Sequence, residues 1–477
     1  MSIERQALSA LKWSGFAKLS GQIVTWAITL TLLRLLAPGD YGLMALVTLV
    51  MSFLTTLSEM GLGSSVVQAA TLDKEEIARV NGFVVALNVT ACVVLVACAP
   101  LIALAFHEPR LAGLIRVASL QFLLSALATM PQSLAYRRMG FRWLALIDLA
   151  SAIFGGLCTL ALALTGAGVW ALVLGSLAQG GLRTILLLRD GWIRPVFATE
   201  GMKRHFSFGG AVTTSRILWL IIYQSDLMIA GRLLPNTAIG LYSVSLHVAT
   251  LPMQKIMGIV NQVALPAVAK LQDDLPRLRD GLLSACRLLL FASVGSLWGL
   301  SSVAPEFVRV VLGSQWEAAV YPMRIICLIV PVRMLNSVFS TTVLGLGRAG
   351  LDLRNNMTNA IVLPSAFYIG AQWGADGLAT AWVVAIPIVF GLNFPRLAGA
   401  AGLTVREVLA VLWAPVLAGA IMYAFVTIVR IPTSDWPVLV RLPLLVVLGA
   451  CIYLGIALAV DQRLRPEIRR LVSALRK

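Results

Sequence analysis

Long apolar runs separated by short polar breaks fill the sequence from end to end. The runs are continuous and do not alternate between polar and apolar residues, which argues against a transmembrane barrel. The pattern predicts an all-α integral membrane protein with about fourteen transmembrane helices of roughly 20 residues each. The predicted limits are 13–36, 41–69, 82–106, 112–135, 143–164, 169–188, 208–233, 239–268, 282–304, 321–344, 355–373, 375–394, 407–429 and 439–460.

One stretch of this pattern occurs twice. The first copy ends in RLLAPGDYGL at Arg34–Leu43, and the second ends in RLLPNTAIGL at Arg232–Leu241. The copies align without a gap at an offset of 198 residues, and the same offset pairs Lys18 with Arg216. Because six predicted spans separate the copies, both cross the membrane in the same direction. The repeat predicts two pseudo-symmetric six-helix lobes, an arrangement that some secondary transporters use, with chance similarity as the alternative.

The repeat and the chain ends together predict the domain organisation. We expect an N-lobe at 1–188, a basic cytoplasmic linker at 189–207, a C-lobe at 208–394, two extra C-terminal helices at 407–460 and a basic tail at 461–477. Four apolar residues of the tail fall on one helical face, which suits an amphipathic helix on anionic lipid. A disordered basic tail is the alternative.

Composition and charge agree with a membrane protein. Of the 477 residues, 59% are hydrophobic and only 13% are charged, and the mean hydropathy is +0.87. Soluble proteins carry roughly 25% charged residues. The net charge of +16 comes from Lys and Arg concentrated in alternate loops, which places both termini in the cytoplasm. The scattered basic residues give no reason to expect nucleic acid as a partner.

Enzyme chemistry has little support in the sequence. The three His residues and six Cys residues show no triad or metal-ligand spacing, and no Walker A motif is present. We therefore expect a transporter without a cofactor or a metal site.

Polar side chains share one face on four predicted helices, which are the equivalent pairs of the two halves. The stripe in the first span consists of Lys18, Gln22, Thr25 and Thr29, and the stripe in the second of Thr48, Ser52, Thr55 and Glu59. The stripe in the seventh span consists of Thr213, Arg216, Tyr223 and Asp226, with Trp219 beside them. The stripe in the eighth consists of Ser243, His247, Thr250, Gln254 and Asn261. If the halves face each other, these stripes line a shared aqueous cavity. Hydrogen bonding between helices is the alternative for the Ser and Thr residues.

Cations outnumber acids in the predicted spans. The cations are Lys18, Arg183, Arg216, Lys255, Arg287, Arg324 and Arg333, and the acids are Glu59, Asp148 and Asp226. A cationic cavity favours an anionic substrate, and the planar fork of Arg suits phosphate. Lys18 and Arg216 lie near helix starts, so snorkelling to the interface is their alternative role. Asp148 can pair with a neighbouring Arg.

Three motifs carry a resemblance to a known family. At Leu33–Leu46 (LRLLAPGDYGLMAL), Ser58–Gln68 (SEMGLGSSVVQ) and Tyr223–Ser245 (YQSDLMIAGRLLPNTAIGLYSVS), the chain resembles the polysaccharide transporter family. These are Wzx-type oligosaccharide flippases, in the superfamily that includes MATE multidrug exporters and the lipid II flippase MurJ. The resemblance extends over essentially the whole chain. One departure is PNT at Pro235, where a glycine-containing turn is expected.

The resemblance implies a V-shaped, alternating-access flippase in the bacterial inner membrane. Its substrate would be an undecaprenyl-diphosphate-linked oligosaccharide for exopolysaccharide or lipopolysaccharide biosynthesis. Under this hypothesis the diphosphate is bound by Lys18, Arg216 and Arg333. The glycan is bound by Gln22, Thr25, Trp219, Tyr223, His247 and Gln254. Ion pairs during gating are formed by Glu59, Asp226, Arg34 and Arg232. The expected partners are this lipid, anionic membrane lipid and the polymerase or export machinery, with the chain itself a monomer.

Three other functions stay open at this point. An ion-coupled exporter of cationic drugs would need buried acids, for which Glu59 and Asp226 are candidates. A lipid II flippase for cell-wall synthesis would share the cationic cavity. A membrane-embedded polymerase or ligase is the third alternative.

Overall fold

The computed structural model describes residues 24–59, 66, 73–189, 191–198, 213, 216–272, 274–461 and 464. These residues form helices and no strand, which confirms the all-α fold class. Within this part of the chain, ten segments are long and apolar enough to cross a membrane. The number of fourteen spans stays a prediction.

The chain divides into two compact units, Met1–Gly240 and Leu241–Lys477. The helices of the first unit are α1 (Val24–Leu35), α2 (Pro38–Glu59), α3 (Lys74–Ala105), α4 (Arg110–Ala118), α5 (Leu120–Arg137), α6 (Phe141–Leu164), α7 (Val169–Leu188), α8 (216–223) and α9 (Ser225–Leu233). Helix α10 (Asn236–Lys270) begins in the first unit and continues in the second.

The described part of the second unit continues with helices joined in places by three short π or 3₁₀ turns. Its helices are α11 (Leu275–Ser302), α12 (Ala304–Phe307), α13 (Val320–Gly345), α14 (Ala349–Gly370), α15 (Gly374–Ala401), α16 (Val405–Arg430) and α17 (Val438–Val460). A π-helical turn at Val308–Leu312 and a 3₁₀ turn at Ser314–Ala319 precede α13, and a 3₁₀ turn at Ala371–Trp373 joins α14 to α15.

The observed helix limits differ from the apolar runs where polar residues extend a helix. Helix α7 coincides with the predicted span 169–188. Helix α3 begins at Lys74, eight residues before the predicted start at 82, and its first turn contains Glu75 and Glu76. Acidic residues at a helix N-terminus favour helix formation outside the hydrocarbon. The apolar run therefore predicts the membrane-buried length and underestimates the whole helix.

Large aromatic side chains form the core of the second unit around Trp382. The Trp382 ring is 2% exposed and meets Phe367 edge-on with ring centroids 4.7 Å apart. Its indole Nε1 donates a hydrogen bond of 2.8 Å to the Tyr242 hydroxyl. This bond satisfies a polar group that would otherwise be costly to bury. Trp382 is thus fixed by packing and by a hydrogen bond.

Candidate functional site

The two copies of the repeated motif contact each other within the first unit. A side-chain carbon at Gly42 would collide with the carbonyl of Asn236, and one at Gly240 would collide with the carbonyl of Pro38. The offset of 198 residues relates Pro38 to Asn236 and Gly42 to Gly240, so the contact is reciprocal. Only glycine permits two helix backbones to approach this closely. The Gly-Leu pair shared by the copies thus has a structural reason.

Polar links reinforce this crossing at the same end of the unit. The Arg232 Nη1 group donates a hydrogen bond of 3.0 Å to the carbonyl of Ala105. The Asn236 amide donates to the Glu108 carboxylate, which also accepts a 3.0 Å bond from the Arg110 Nε group. The bond from Arg110 lowers the pKa of Glu108, so this carboxylate is charged at neutral pH. Arg232 therefore links α9 to the end of α3 through a hydrogen bond.

Helix α8 carries the predicted cation and aromatic residues on neighbouring turns. The Trp219 and Tyr223 rings lie one turn apart with centroids separated by 4.6 Å. Trp219 is 54% exposed, and Arg216, three residues before it, is also exposed. An aromatic pair with one exposed ring beside a guanidinium offers an apolar face and charged donors, which suits a sugar attached to a phosphate.

Two polar residues that follow α8 form hydrogen bonds inside the first unit. The Asp226 side chain is 1% exposed, and its Oδ1 atom accepts a 2.8 Å bond from the Leu227 backbone N–H. The Gln224 amide donates a 3.0 Å bond to the Ser52 hydroxyl on α2. Ser52 thus forms the helix-to-helix bond that was the alternative to a cavity role.

The structure describes only some of the other residues predicted for the site in the first unit. Lys18 and Gln22, and the side chain of Glu59, lie outside the described residues. The carbonyl of Thr25 accepts a 2.9 Å bond from the Thr29 hydroxyl, and Arg34 is exposed.

On the second unit, helix α10 carries two predicted glycan residues. His247 and Gln254 are both exposed and lie seven residues, about two turns, apart on this helix. The Thr250 hydroxyl between them donates to the Leu246 carbonyl at 2.7 Å. Among the described side chains of this predicted stripe, the His247 imidazole and the Gln254 amide are exposed.

Arg333 lies over the face of the fixed Trp382 ring. Its guanidinium carbon is 4.5 Å from the ring centroid. A guanidinium over an aromatic face is stabilised by a cation–π interaction, and its planar fork suits an oxyanion. The charge at mid-span expected from the sequence is thus stabilised by an aromatic platform.

The pairing expected for Asp148 is confirmed. Its Oδ1 atom lies 2.9 Å from the Nε of Arg183, which reaches across from α7 to α6. The same Arg183 donates through Nη1 to the Gln132 amide oxygen at 3.3 Å. Arg183 is thus a link between three helices.

An apolar groove runs along α11 and α17 in the second unit. Its volume is about 630 Å³. The lining residues are Phe291, Ala292, Gly295, Ser296, Gly299, Leu300, Ser302, Val303, Phe307, Val311, Met422, Leu442, Leu445, Val446, Gly449, Ala450, Tyr453 and Leu454. The three hydroxyls among them, on Ser296, Ser302 and Tyr453, each donate to a backbone carbonyl. The groove therefore presents hydrocarbon to its occupant along its whole length.

Arginine–carboxylate clusters lie at both ends of this groove. At one end the fully buried Glu306 carboxylate accepts bonds of 2.9 and 3.1 Å from Arg430, while the Arg441 Nε lies 3.3 Å away. At the other end Arg287 Nε lies 3.1 Å from Asp461 Oδ2. The groove follows α17 from Leu442 to Leu454, twelve residues or about 18 Å, so it is shorter than the hydrocarbon core of a bilayer, about 30 Å.

A polar network ties α14 to α15 near the end of this unit opposite the Ala371–Trp373 turn. Arg396 Nη1 donates to the amide oxygens of Asn355 and Asn393 at 3.1 Å each, and Asn393 donates to Asn359 at 3.1 Å. Such bonds hold membrane helices together. They account for the three asparagines within otherwise apolar spans.

Sequence patterns alone did not reveal the cluster around Glu306. Arg430 and Arg441 lie near the facing ends of the predicted spans 407–429 and 439–460, where hydropathy indicates no partner for them. The available signal was a single acid, Glu306, in an apolar segment at the same predicted membrane face as these two arginines. A buried carboxylate requires a counter-charge, so the three residues could have been grouped from the predicted topology alone.

Comparison with known protein families gives a match over most of the chain. The family model described as "Polysaccharide biosynthesis protein" matches residues 31–321, which is more than half of the sequence and includes both copies of the repeated motif.

Individual relatives and a solved structure extend the match. The chain is 24% identical to the lipopolysaccharide biosynthesis protein WzxC of Escherichia coli (strain K12), over 87% of this chain and 86% of the relative. It is 25% identical to the succinoglycan biosynthesis transport protein ExoT of Rhizobium meliloti (strain 1021), over 79% of this chain and 77% of the relative. Its fold is similar to that of the lipid II flippase MurJ in an inward closed conformation, with a TM-score of 0.74, 15% identity and coverage of 95% of this chain and 99% of MurJ.

Proposed function

Because the chain belongs to the family of polysaccharide biosynthesis proteins, we propose that it is a flippase for lipid-linked oligosaccharides in the bacterial inner membrane. This membership confirms the resemblance indicated by the repeated motifs. The chain is a multi-pass membrane transporter and not an enzyme. The proposed substrate is an oligosaccharide on a polyprenyl diphosphate, which would cross from the cytoplasmic to the periplasmic leaflet for polysaccharide synthesis.

The apolar groove of the second unit is the observation that carries the lipid part of this proposal. A sugar alone would not need a groove lined by hydrocarbon. A polyprenyl chain would fill such a groove, since its hydroxyls are all bonded to backbone carbonyls.

Arg333 supports the diphosphate part of the proposal. A phosphate group moving through the membrane needs a positive partner away from water, and an isolated charge at that depth is costly. The Trp382 platform under Arg333 lowers this cost through a cation–π interaction. In the proposal, Arg333 binds the diphosphate together with Arg216 and Lys18, and the Trp219–Tyr223 pair contacts the sugars.

The reciprocal glycine contact supports transport by alternating access. Helix α10 begins at this contact and continues as a single helix into the second unit. In the proposal, the contact between the repeated motifs parts when the protein opens at that end and forms again when it closes.

Filling the groove should stop transport. Ala450 is exposed and lines the groove, so Ala450→Trp places an indole in the proposed path of the lipid chain. We expect transport of a lipid-linked oligosaccharide to fall at least tenfold while the amount of protein in the membrane is unchanged. Val447→Trp is the matched control, because Val447 is exposed on the same helix but does not line the groove. Equal transport by the two variants would remove the groove from the mechanism.

Neutralising Arg333 should weaken substrate binding. A hydrogen bond to a charged group contributes about 1.5–3 kcal/mol, which corresponds to roughly a 10- to 100-fold change in affinity. We expect Arg333→Gln to raise the half-saturating substrate concentration by this factor, and Arg333→Lys to recover only part of the loss, since lysine lacks the planar fork. Arg348→Gln, at an exposed arginine just after the same helix, should behave as wild type. Wild-type affinity in Arg333→Gln would exclude Arg333 from the site.

A further inference from the structure

A polar pocket and an apolar groove meet at three residues in the second unit, away from the lipid path described above. The polar pocket has a volume of about 410 Å³ and is lined by the charged side chains of Glu317, Arg324 and Asp376. The apolar groove has a volume of about 660 Å³ and runs between α14 and α15. Tyr321, Trp373 and Asp376 line both. A polar and an apolar compartment with a shared wall fit one amphiphilic molecule.

The polar pocket contains charges of both signs and aromatic faces. Arg324 donates through Nε to the Ser301 carbonyl at 3.3 Å, which fixes the side chain at the pocket wall. Glu317 is paired with the Arg309 guanidinium at 2.7 Å, so its charge is already balanced. Trp373 is 70% exposed and supplies an aromatic face beside Asp376. One cation and one unbalanced acid make the pocket suited to a zwitterion.

The apolar groove continues from this pocket to the depth of one membrane leaflet. It follows α15 from Asp376 to Ile388, twelve residues or about 18 Å along the helix. Half of a bilayer's hydrocarbon core is about 15 Å thick. The hydroxyl of Ser365 donates to the Ile361 carbonyl and that of Thr380 to the Asp376 carbonyl, so both are satisfied by backbone. The groove therefore matches an acyl chain in length and in chemistry.

We propose that this pocket and groove together bind one glycerophospholipid with a phosphoethanolamine headgroup. The phosphate lies against Arg324, and the ammonium lies between the Asp376 carboxylate and the Trp373 ring, which would attract it through a cation–π contact. One acyl chain occupies the groove between α14 and α15. The site lies in the leaflet that the Ala371–Trp373 turn faces.

Charge complementarity selects this lipid over an anionic one. Phosphatidylglycerol would bring a phosphate without an ammonium, which would leave the Asp376 carboxylate unpaired next to added negative charge. A free oligosaccharide could stack on Trp373 but would leave the apolar groove without an occupant. The ethanolamine lipid satisfies both compartments at once.

Lipid retention on the purified protein tests the proposal. The full chain is delipidated in mild detergent, offered equal amounts of dioleoyl phosphatidylethanolamine and dioleoyl phosphatidylglycerol, and measured by native mass spectrometry. We expect wild type to retain one ethanolamine lipid in preference to the glycerol lipid. Asp376→Asn should reduce that preference roughly tenfold, as the loss of one charge-assisted contact implies, and Arg324→Gln should weaken retention of both lipids.

Two matched controls distinguish the site from general lipid adhesion. Asp435 and Trp436 are exposed in the turn before α17 and line neither the pocket nor the groove. Asp435→Asn and Trp436→Ala should retain the ethanolamine lipid as wild type does, whereas Trp373→Ala should lose it. Equal retention of both lipids by wild type, or equal losses in the variants and their controls, would show annular lipid only and overturn the proposal. Because the measurement involves no transport, such a failure would leave the flippase proposal intact.

Discussion

Oxidation should stop transport reversibly when Gly39 and Thr237 are both replaced by cysteine. These two residues face each other across the contact between the repeated motifs: a side-chain carbon at Gly39 would lie 3.7 Å from the Thr237 hydroxyl oxygen. This separation places two cysteine sulfurs within reach of a disulfide. If the contact must part during each transport cycle, a covalent link across it holds the protein in one state. We expect at least a tenfold loss of transport.

The reversible design separates a locked protein from a damaged one. The Gly39→Cys/Thr237→Cys variant is made in a background without the six natural cysteines, none of which is disulfide-bonded. Transport is measured after oxidation and again after reduction, and each single cysteine variant is the control. Recovery on reduction is expected only for the pair. Undiminished transport by the fully oxidised pair would mean that this contact stays closed throughout the cycle.

Replacing Glu306 by glutamine should cause the largest loss of stability. The Glu306 carboxylate is fully buried and balances both Arg430 and Arg441. Without it, two largely buried guanidinium groups, 19% and 12% exposed, lose their counter-charge, and breaking a buried pair costs about 3–5 kcal/mol. For a unit of this size, that corresponds to a drop of roughly 10 °C in apparent melting temperature.

A second acid in the same unit provides the matched control. Glu317 also pairs with an arginine, Arg309, but both side chains are more than half exposed. Exposed pairs contribute about 0–1 kcal/mol, so Glu317→Gln should melt close to wild type. Melting curves of the detergent-solubilised variants make the comparison. If both variants lost the same stability, burial of Glu306 would not be the cause.

The membrane spans follow directly from hydropathy because the bilayer imposes one length on every helix. The limits of α7 agree with the predicted span, and those of α13 and α17 agree to within one residue at each end. The irregular backbone at Val308–Leu312 and Ser314–Ala319 was not predictable in this way. These turns depend on the positive φ of Gly313 and on tertiary contacts that carry no periodic signal.

The sequence predicts which polar and aromatic residues are candidates for the site. It does not predict which side chains from other helices surround them. Periodicity placed Trp219 and Tyr223 one turn apart, and their ring centroids do lie close together, at 4.6 Å. It could not indicate that Arg333 stacks on Trp382, because the two residues come from different helices. The groove was also beyond sequence reasoning. A lipid-facing apolar residue and a groove-lining one look the same along the chain, and only the packing of α11 against α17 distinguishes them.

The repeated motif identified equivalent residues that composition alone does not indicate. Matching positions of two apolar stretches identified Gly42 and Gly240 as equivalent, and these are the residues at which the motifs cross. The identity of the glycines follows from the close approach of backbones, which no other residue allows. A repeated small residue within an apolar helix is therefore a useful signal of helix contact.

Transport by the purified protein tests the central claim most directly. The chain is reconstituted into liposomes containing a fluorescent polyprenyl-diphosphate-linked oligosaccharide, and a membrane-impermeant reagent that quenches the fluorophore reports the outer-leaflet fraction. In protein-free liposomes only the outer half is quenched. The account predicts that wild-type protein makes nearly all of the lipid accessible and that Ala450→Trp does not. Quenching that stays at one half with the folded wild-type protein, across imposed ion gradients and membrane potentials, would contradict it.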